Sequence, residues 1–321
     1  MIKVPKNYIA LFPAKPRDSC KLMVLKLKEK LIIHSKFNKL YEFLQSGDII
    51  VVNNTKVIPA KLYGFKPTGG KVELLFVKKI DDRKFLSLLK GKNVKKIYIG
   101  KFELEVKDKD KFYIVEIKNG EVEELIKKYG KMPLPPYIKR EPIKRDNYYY
   151  NTIFAKEEGS IAAPTASLHF TKRLVKKLIE KNIKVKEITL HVGPFTFLND
   201  MEDSEIIKEF YEVPEDTARE IEEAKKRGSK IVSVGTTVTR ALETWGIKGV
   251  LKGYTDLIIK PNFNFKITDV LLTNFHLENL SPILLTRAFV KDDDFLKKAY
   301  KEAINKRYRF FSYGDAMIIF P

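Results

Sequence analysis

The sequence predicts a mixed α/β fold in which a β-rich module interrupts a domain of alternating helices and strands. Three observations predict it. A helix-like stretch at residues 37–45 gives way to DIIVVN at 48–53, an apolar run fit for a buried strand. From about Pro59 to Tyr150 the texture changes to short β-rich runs, separated by Gly, Asp, Asn and Lys clusters at regular spacing, the signature of a small antiparallel barrel or sandwich. After Asn151 the α/β alternation resumes, so a β-module inserted into an α/β domain is the simplest architecture. The chain of 321 residues suits about two domains at roughly 150 residues each.

In chain order, the insert carries KVELLFVKK, KFLSLL, KKIYIG, FELEVK and KFYIVEIK as its strands. Beyond it the pattern predicts a helix over 172–181, a strand over 184–191, a helix over 214–227, a strand over 230–235, a helix over 237–245 and an apolar strand over 269–273. The expected boundaries are 1–58 and 151–321 for the interrupted domain and 59–150 for the insert. There is no internal repeat and no low-complexity segment beyond short Lys clusters.

The balance of 61 Lys plus Arg against 41 Asp plus Glu leaves a formal charge of +20, which favours a polyanionic partner. Residues 59–150 hold 23 basic and 13 acidic side chains, a difference of 10, so half the excess lies in less than a third of the length. A single cysteine, Cys20, excludes an internal disulfide, and the four histidines stand too far apart for a local zinc motif; a reducing cytoplasm fits, and no metal is expected. No window approaches the ~20 apolar residues that span a bilayer, and the N-terminus lacks the apolar core of a signal peptide, so a cytoplasmic protein without a membrane partner is expected.

Two stretches have the texture of site walls. GSIAAPTASLHFT, residues 159–171, joins a Gly-Ser entry and a Pro-Thr turn to His169 just before a helix start. LHVGPFTF, residues 190–197, ends an apolar strand on His191. His276 in TNFHL also follows a strand, where α/β folds commonly carry ligand contacts. Each of these imidazoles also reads as a histidine that merely satisfies neighbouring backbone, and His34 lacks any comparable context.

Arg17-Asp18 sits in a turn able to present a guanidinium and an acid, or equally a surface ion pair. Gly235-Thr236-Thr237 links a strand to a helix carrying Arg240, so helix-start N–H groups could take a carboxylate or phosphate; an ordinary β-to-α turn with a Thr cap is the plainer reading. YRFFSYGDAMIIF, with Arg309, Tyr313 and Asp315, mixes groups able to stack a base and bond its edge, although an aromatic stripe is more often core. Tyr148-Tyr149-Tyr150 and the lysines between 90 and 101 could grip RNA by stacking and phosphate contacts, or simply form a solvated face.

Ten ordered segments together resemble the S-adenosylmethionine:tRNA ribosyltransferase-isomerase family of the queuosine pathway. They are PAKPRDSCKLMVL, GDIIVVNNTKVIPAKLYG, TGGKVELL, LPPYI, YNTIFA, the two histidine stretches, SVGTTVTRALE, TNFHL and YRFFSYGDAMII, and they cover nearly the whole chain. The resemblance implies a discontinuous catalytic domain built around a β-barrel with surrounding helices, interrupted by a smaller β-barrel domain. It implies transfer and isomerisation of the ribosyl part of S-adenosylmethionine, a consumed co-substrate, onto 7-aminomethyl-7-deazaguanine at the tRNA wobble position. Epoxyqueuosine forms, and adenine and methionine leave.

Such a reaction needs a base for the carbon beside the sulfonium, a proton donor at the purine and fixed N–H donors for developing oxyanions. On this resemblance His169, His276, Asp18 and Glu209, which aligns with a family acid, are the catalytic candidates. Arg17, His191, Thr236, Thr237, Arg240, Tyr313 and Asp315 are expected to bind substrate or S-adenosylmethionine. Lys92, Lys95, Lys96, Tyr149 and Arg309 are expected to meet the tRNA anticodon stem-loop, and no protein partner is implied.

The chain departs from the family pattern where a usual H-x-x-H pair is replaced at Ser204 and Ile207. It also carries Pro194-Phe195 where small residues are usual, Glu278 for a proline and Lys21 for an arginine. A tRNA-binding paralogue without catalysis is therefore the alternative. A methyltransferase reading is weak, because no G-x-G-x-x-G loop follows any expected strand.

Overall fold

The computed structural model describes residues 4–109, 112–194, 208–276 and 281–321. The larger unit, for which the resemblance implies a barrel, is organised on a nine-stranded mixed sheet. Its strands are β1 (Lys21–Lys26), β2 (Leu31–Lys36), β3 (Ile49–Asn53), β12 (Lys184–Leu190), β13 (Glu209–Glu212), β14 (Ile231–Val234), β15 (Lys252–Thr255), β16 (Val270–Asn274) and β17 (Ala316–Phe320). They lie in the order β15-β13-β12-β3-β14-β16-β17-β1-β2. The four central strands β12, β3, β14 and β16 run parallel, while β17 is antiparallel to β16 and parallel to β1. Every residue of β3, β14 and β16 is buried, as expected of parallel strands covered on both faces.

The helices that cover this sheet form where the sequence places them, within one to three residues. They are α3 (Lys172–Glu180), α4 (Glu215–Lys226) and α5 (Thr236–Lys248); α6 (Ser281–Val290) and α7 (Asp293–Asn305), which the sequence pattern does not announce, follow near the C-terminus. The α3 start is fixed by Thr171, whose side chain accepts from the Leu174 N–H at 3.2 Å, an N-cap of ordinary type. The stretch expected as a helix over 37–45 is a 3-10 helix, Phe37–Phe43, that buries Phe37 and Leu40. Seven residues is long for that geometry, and packing of these two side chains against the sheet core overrides the local α preference.

The β-rich insert closes into a six-stranded barrel of β5 (Lys61–Phe65), β6 (Lys71–Lys79), β7 (Lys84–Lys90), β8 (Lys96–Ile99), β9 (Phe102–Lys109) and β10 (Phe112–Ile117). Helix α1 (Val122–Tyr129), which the β texture hid from a sequence reading, adds Val122 and Leu125 to the barrel core with Phe85 and Phe102. The chain leaves the large sheet through β4 (Thr55–Val57) and returns through β11 (Glu157–Ser160), and these two strands pair in parallel. Exit and return thus lie side by side, which lets a closed barrel interrupt the sheet without disturbing its central strands. Between them runs α2 (Asp146–Tyr149). Among the described residues no helix is long and apolar enough to cross a membrane.

Candidate active site at the sheet edge

The register of the sheet brings most of the expected residues to one edge. Ile188 pairs with Asn53, Leu190 with Tyr211, Val234 with Leu272, and Ala316 with both Asn274 and Leu22. The carboxyl ends of β12, β3, β14 and β16 therefore lie together with the starts of β1, β13 and β17. That edge carries His191, Asn53, Gly235-Thr236, Asn274 to His276, Cys20, Glu209 and Asp315. Ligands of open α/β sheets gather at the carboxyl ends of parallel strands.

Asn53 is the clamp at the centre, fully buried. Its Oδ1 accepts from the backbone N–H of Thr55 and of Leu190, both at 3.1 Å, and its Nδ2 donates to the Leu190 carbonyl at 2.9 Å. Thr237 Oγ1 stands 3.5 Å from the same Nδ2, so the start of α5 is tied to the two strand ends. Neither Asn53 nor its neighbours Thr55 and Ser160 carries a sequence signal for this. Only long-range pairing makes them site residues.

Thr55 Oγ1 lies 2.8 Å from His191 Nδ1 and 2.6 Å from Ser160 Oγ, which accepts from the Val192 N–H at 2.8 Å. The half-buried His191 ring stacks on Phe210, centroids 5.5 Å apart. Its Nε2 has no partner among the described residues, and burial holds the imidazole below its ordinary pKa while Glu157 works weakly against that. Gly159 lies under the ring with φ +150°, and a Cβ there would meet ring atoms at 2.9 Å. Gly159→Ala is expected to cost about 1–3 kcal/mol in a denaturant melt and to shift the His191 imidazole NMR signals, whereas a silent spectrum would show the ring is not held by this contact.

Beside it, Glu209 is almost wholly buried: Oε1 accepts from the Gly193 N–H at 2.7 Å and Oε2 pairs with the Arg240 guanidinium. Arg240 also donates through Nε to the Leu257 carbonyl at 2.8 Å. The α5 start, with Thr236 and Thr237, follows Gly235 at φ +88° and has no side-chain cap.

His169 occupies the other half of the edge, buried, with Nδ1 3.4 Å from Cys20 Sγ and Nε2 3.0 Å from Asn274 Nδ2. Asn274 also donates from Nδ2 to the Phe311 carbonyl at 3.2 Å and accepts on Oδ1 from the Thr165 hydroxyl at 3.2 Å. The Phe311 carbonyl only accepts, which fixes Nδ2 as the amide NH₂. His169 Nε2 is then the acceptor and its proton sits on Nδ1, facing the thiol. Burial, reinforced by the positive charges of Arg309 and Arg17, pushes the His169 pKa down to about 3, so the ring is neutral at any physiological pH. Burial likewise raises the Cys20 thiol well above its ordinary value. His276, half-buried with Nε2 3.1 Å from Thr273 Oγ1, is pushed down by burial to about 4.

The remaining expected residues serve the frame of this edge. Asp18, fully buried, accepts from Thr171 Oγ1 at 2.6 Å and pairs with Arg173 at 3.3 Å, which ties the loop before β1 to the start of α3. Asp315 accepts from the Lys21 N–H at 2.9 Å and the Arg309 N–H at 2.7 Å, and burial still raises its pKa. Arg17 donates to the carbonyls of Asn151 at 2.8 Å and Tyr148 at 2.5 Å, while its Nε is buried without a partner among the described residues. Tyr313 is buried, its hydroxyl 3.4 Å from Asp146 Oδ1, so it lines the core beneath the edge. Tyr149 has Lys15 5.9 Å from its ring centre.

The lysines expected to meet RNA are not brought to this edge. Lys92 and Lys95 are exposed on the turn before β8, and Lys96 on β8 is paired with Glu103 at 2.5 Å. Ser204, Ile207 and Glu278 lie outside the described residues, and among those described no cluster of three His, Cys, Asp or Glu side chains is arranged to hold a metal ion.

A family model described as queuosine biosynthesis protein matches residues 2–319. The S-adenosylmethionine:tRNA ribosyltransferase-isomerases of Sulfurihydrogenibium sp. (strain YO3AOP1) and Aquifex aeolicus (strain VF5) are each 45% identical to this chain over 327 residues; they cover 98% and 99% of it and 97% of their own length. The crystal structure of the S-adenosylmethionine tRNA ribosyltransferase from Thermotoga maritima, at 2.00 Å resolution, is similar over 99% of this chain and 98% of its own, with a TM-score of 0.58 and 33% identity. The match runs through both the interrupted sheet and the barrel, and the chain belongs to the queuosine biosynthesis protein family, that of the S-adenosylmethionine:tRNA ribosyltransferase-isomerase enzymes.

Proposed function

We propose that this chain transfers and isomerises the ribosyl moiety of S-adenosylmethionine onto 7-aminomethyl-7-deazaguanine at the tRNA wobble position, giving epoxyqueuosine, adenine and methionine. The observation that carries this reading is the gathering of Asn53, His191, Glu209, Arg240, His169 and Asn274 at one sheet edge in a chain of this family. Residues 59–150 act on this reading as the inserted domain and the rest as the catalytic one, in the cytoplasm.

The donor set suits S-adenosylmethionine. The uncapped start of α5 offers N–H groups and a partial positive charge to the methionine carboxylate. A neutral imidazole is needed to take the proton beside the sulfonium. His191 does so without breaking a hydrogen bond among the described residues, because Nε2 has no partner there and Thr55 holds the other nitrogen. His169, bonded through Nε2 to Asn274, holds that amide in place. Glu209, fixed by Gly193 and Arg240, contributes a negative charge that suits the cationic sulfonium.

The test is incubation with S-adenosylmethionine and an anticodon stem-loop carrying the aminomethyl base, with mass analysis of the nucleoside and assay of released adenine. Epoxyqueuosine and adenine are expected. His191→Gln is expected to lower adenine release by roughly 10²- to 10⁴-fold, the usual contribution of a positioned acid or base. Stem-loop binding with no adenine release by the unaltered chain would instead favour a binding paralogue, the reading that the replacements at Ser204 and Ile207 suggest.

A further inference from the structure

A second surface adjoins the sheet edge, where residues 11–17 pack against residues 139–149. Arg140 donates through Nε to the Leu11 carbonyl at 3.0 Å, and its guanidinium lies 4.1 Å from the centre of the Phe12 ring. Arg17, bonded to the Tyr148 carbonyl, lies 4.3 Å from the centre of the Tyr148 ring. Two aromatic rings are thus each backed on one face by a guanidinium, yet Phe12 remains 43% and Tyr148 65% exposed. Rings left this open add little to a core, and cations behind them orient the other face toward solvent.

Positive charge predominates around these rings. Lys15, Lys139, Lys144 and Arg145 are exposed, and none is paired with a carboxylate among the described residues. Of the two acids nearby, Asp146 is charge-paired and Glu141, among the described residues, is not. Asp146 is buried under Arg140, which meets both its oxygens at 2.7 Å, and Glu141 accepts from the Tyr63 hydroxyl at 2.9 Å. The surface is also continuous with the edge, since Arg309 donates to the Phe12 carbonyl at 3.3 Å and its own N–H holds Asp315.

We propose that residues 11–17 and 139–149 form a platform for unpaired RNA nucleotides, with Phe12 and Tyr148 each stacking a base and Lys15, Lys139, Lys144 and Arg145 meeting phosphates. Flat π faces flanked by unpaired positive charge are what a single strand requires and what a duplex, with its bases stacked internally, cannot use. The inference rests on the chain being a tRNA-modifying enzyme and assigns the part of it that meets the loop.

The experiment measures Kd by fluorescence anisotropy of the full chain with a labelled anticodon stem-loop and with a fully paired duplex, alongside KM for the stem-loop in adenine release. Tyr148→Ala and Phe12→Ala are each expected to weaken stem-loop binding by roughly 5- to 150-fold, the range for losing one stacked base, and Tyr148→Phe to keep it. Lys144→Ala with Arg145→Ala is expected to reduce the slope of log Kd against log salt by about 1.4, two single-strand phosphates. Unchanged Kd and KM in both alanine variants, or a duplex bound as tightly as the loop, would overturn the platform while adenine release by the unaltered chain kept the reaction standing. Loop binding that falls in the alanine variants, in a chain that releases no adenine, would support the platform and sink the reaction.

Discussion

Glu209→Ala is expected to cost about 3–5 kcal/mol of folding stability, the range for breaking one side of a buried ion pair. The Glu209 and Arg240 side chains are only 2% and 19% exposed, so among the described residues the guanidinium left behind keeps just the Leu257 carbonyl as partner. The Gly193 N–H, which is partly buried, loses its acceptor as well. Against a total stability on the order of 5–15 kcal/mol, the denaturation midpoint should fall well outside experimental scatter. The neutral variant Glu209→Gln retains an acceptor for Gly193 and should fall less. Pairing Glu209→Ala with Arg240→Met should recover most of the loss, because removing both charges leaves no uncompensated ion. A double variant as unstable as the single one would show that the pair is not the source of the cost. Adenine release then separates the roles: if Glu209→Gln folds normally yet loses turnover, the charge itself serves the reaction.

The sequence announces the frame of this molecule more readily than its site, and particular residues show why. Strands such as Ile49–Asn53 and Val270–Asn274 are buried on both faces, so they appear as unbroken apolar runs. The helix Thr236–Lys248 follows a glycine held at positive φ, and such punctuation is visible in a chain. Asn53 and Asn274 offer no comparable signal. Each is one amide at the end of a strand, and its importance comes from partners more than one hundred positions away, as with the Asn53 bonds to Leu190 and the Asn274 bond to His169.

Cys20 illustrates the same limit. Counting cysteines excludes a disulfide and says nothing of the 3.4 Å contact that faces the His169 proton. Aromatic residues mislead in both directions: Tyr313 in a base-binding texture is buried over Asp146, while Tyr148, one of three consecutive tyrosines, is the exposed one. Nor does local pattern separate Lys96, tied to Glu103, from Lys139 and Lys144, which meet no carboxylate among the described residues. Ion pairing across a sheet is decided by register, which becomes visible only when the strands are assembled.

Acidification is expected to unfold this protein ahead of any general loss of surface pairing. His169 and His276 are held neutral, at about 3 and about 4, whereas in the unfolded chain each takes up a proton near its ordinary value of about 6.5. Folded values below the unfolded ones mean that the stabilisation is fully present above pH ~6.5 and is lost as pH falls toward the folded values. Between pH 7 and pH 4.5 each histidine should withdraw about 2–3 kcal/mol, so the pair removes roughly 5 kcal/mol. His191, also lowered, acts in the same direction. Asp315, raised by burial, opposes it, because a buried carboxylate gains stability on protonation. The histidines outnumber it, and the net slope stays downward with falling pH. Thermal melts from pH 7.5 to 4.5 should show this fall, and His169→Gln, whose amide carries no titrating proton, should flatten it by about half. A curve of unchanged steepness in that variant would mean that the imidazole beside Cys20 and Asn274 takes up its proton without unfolding the edge, and the network would then be a hydrogen-bonded shell open to water rather than a dry clamp.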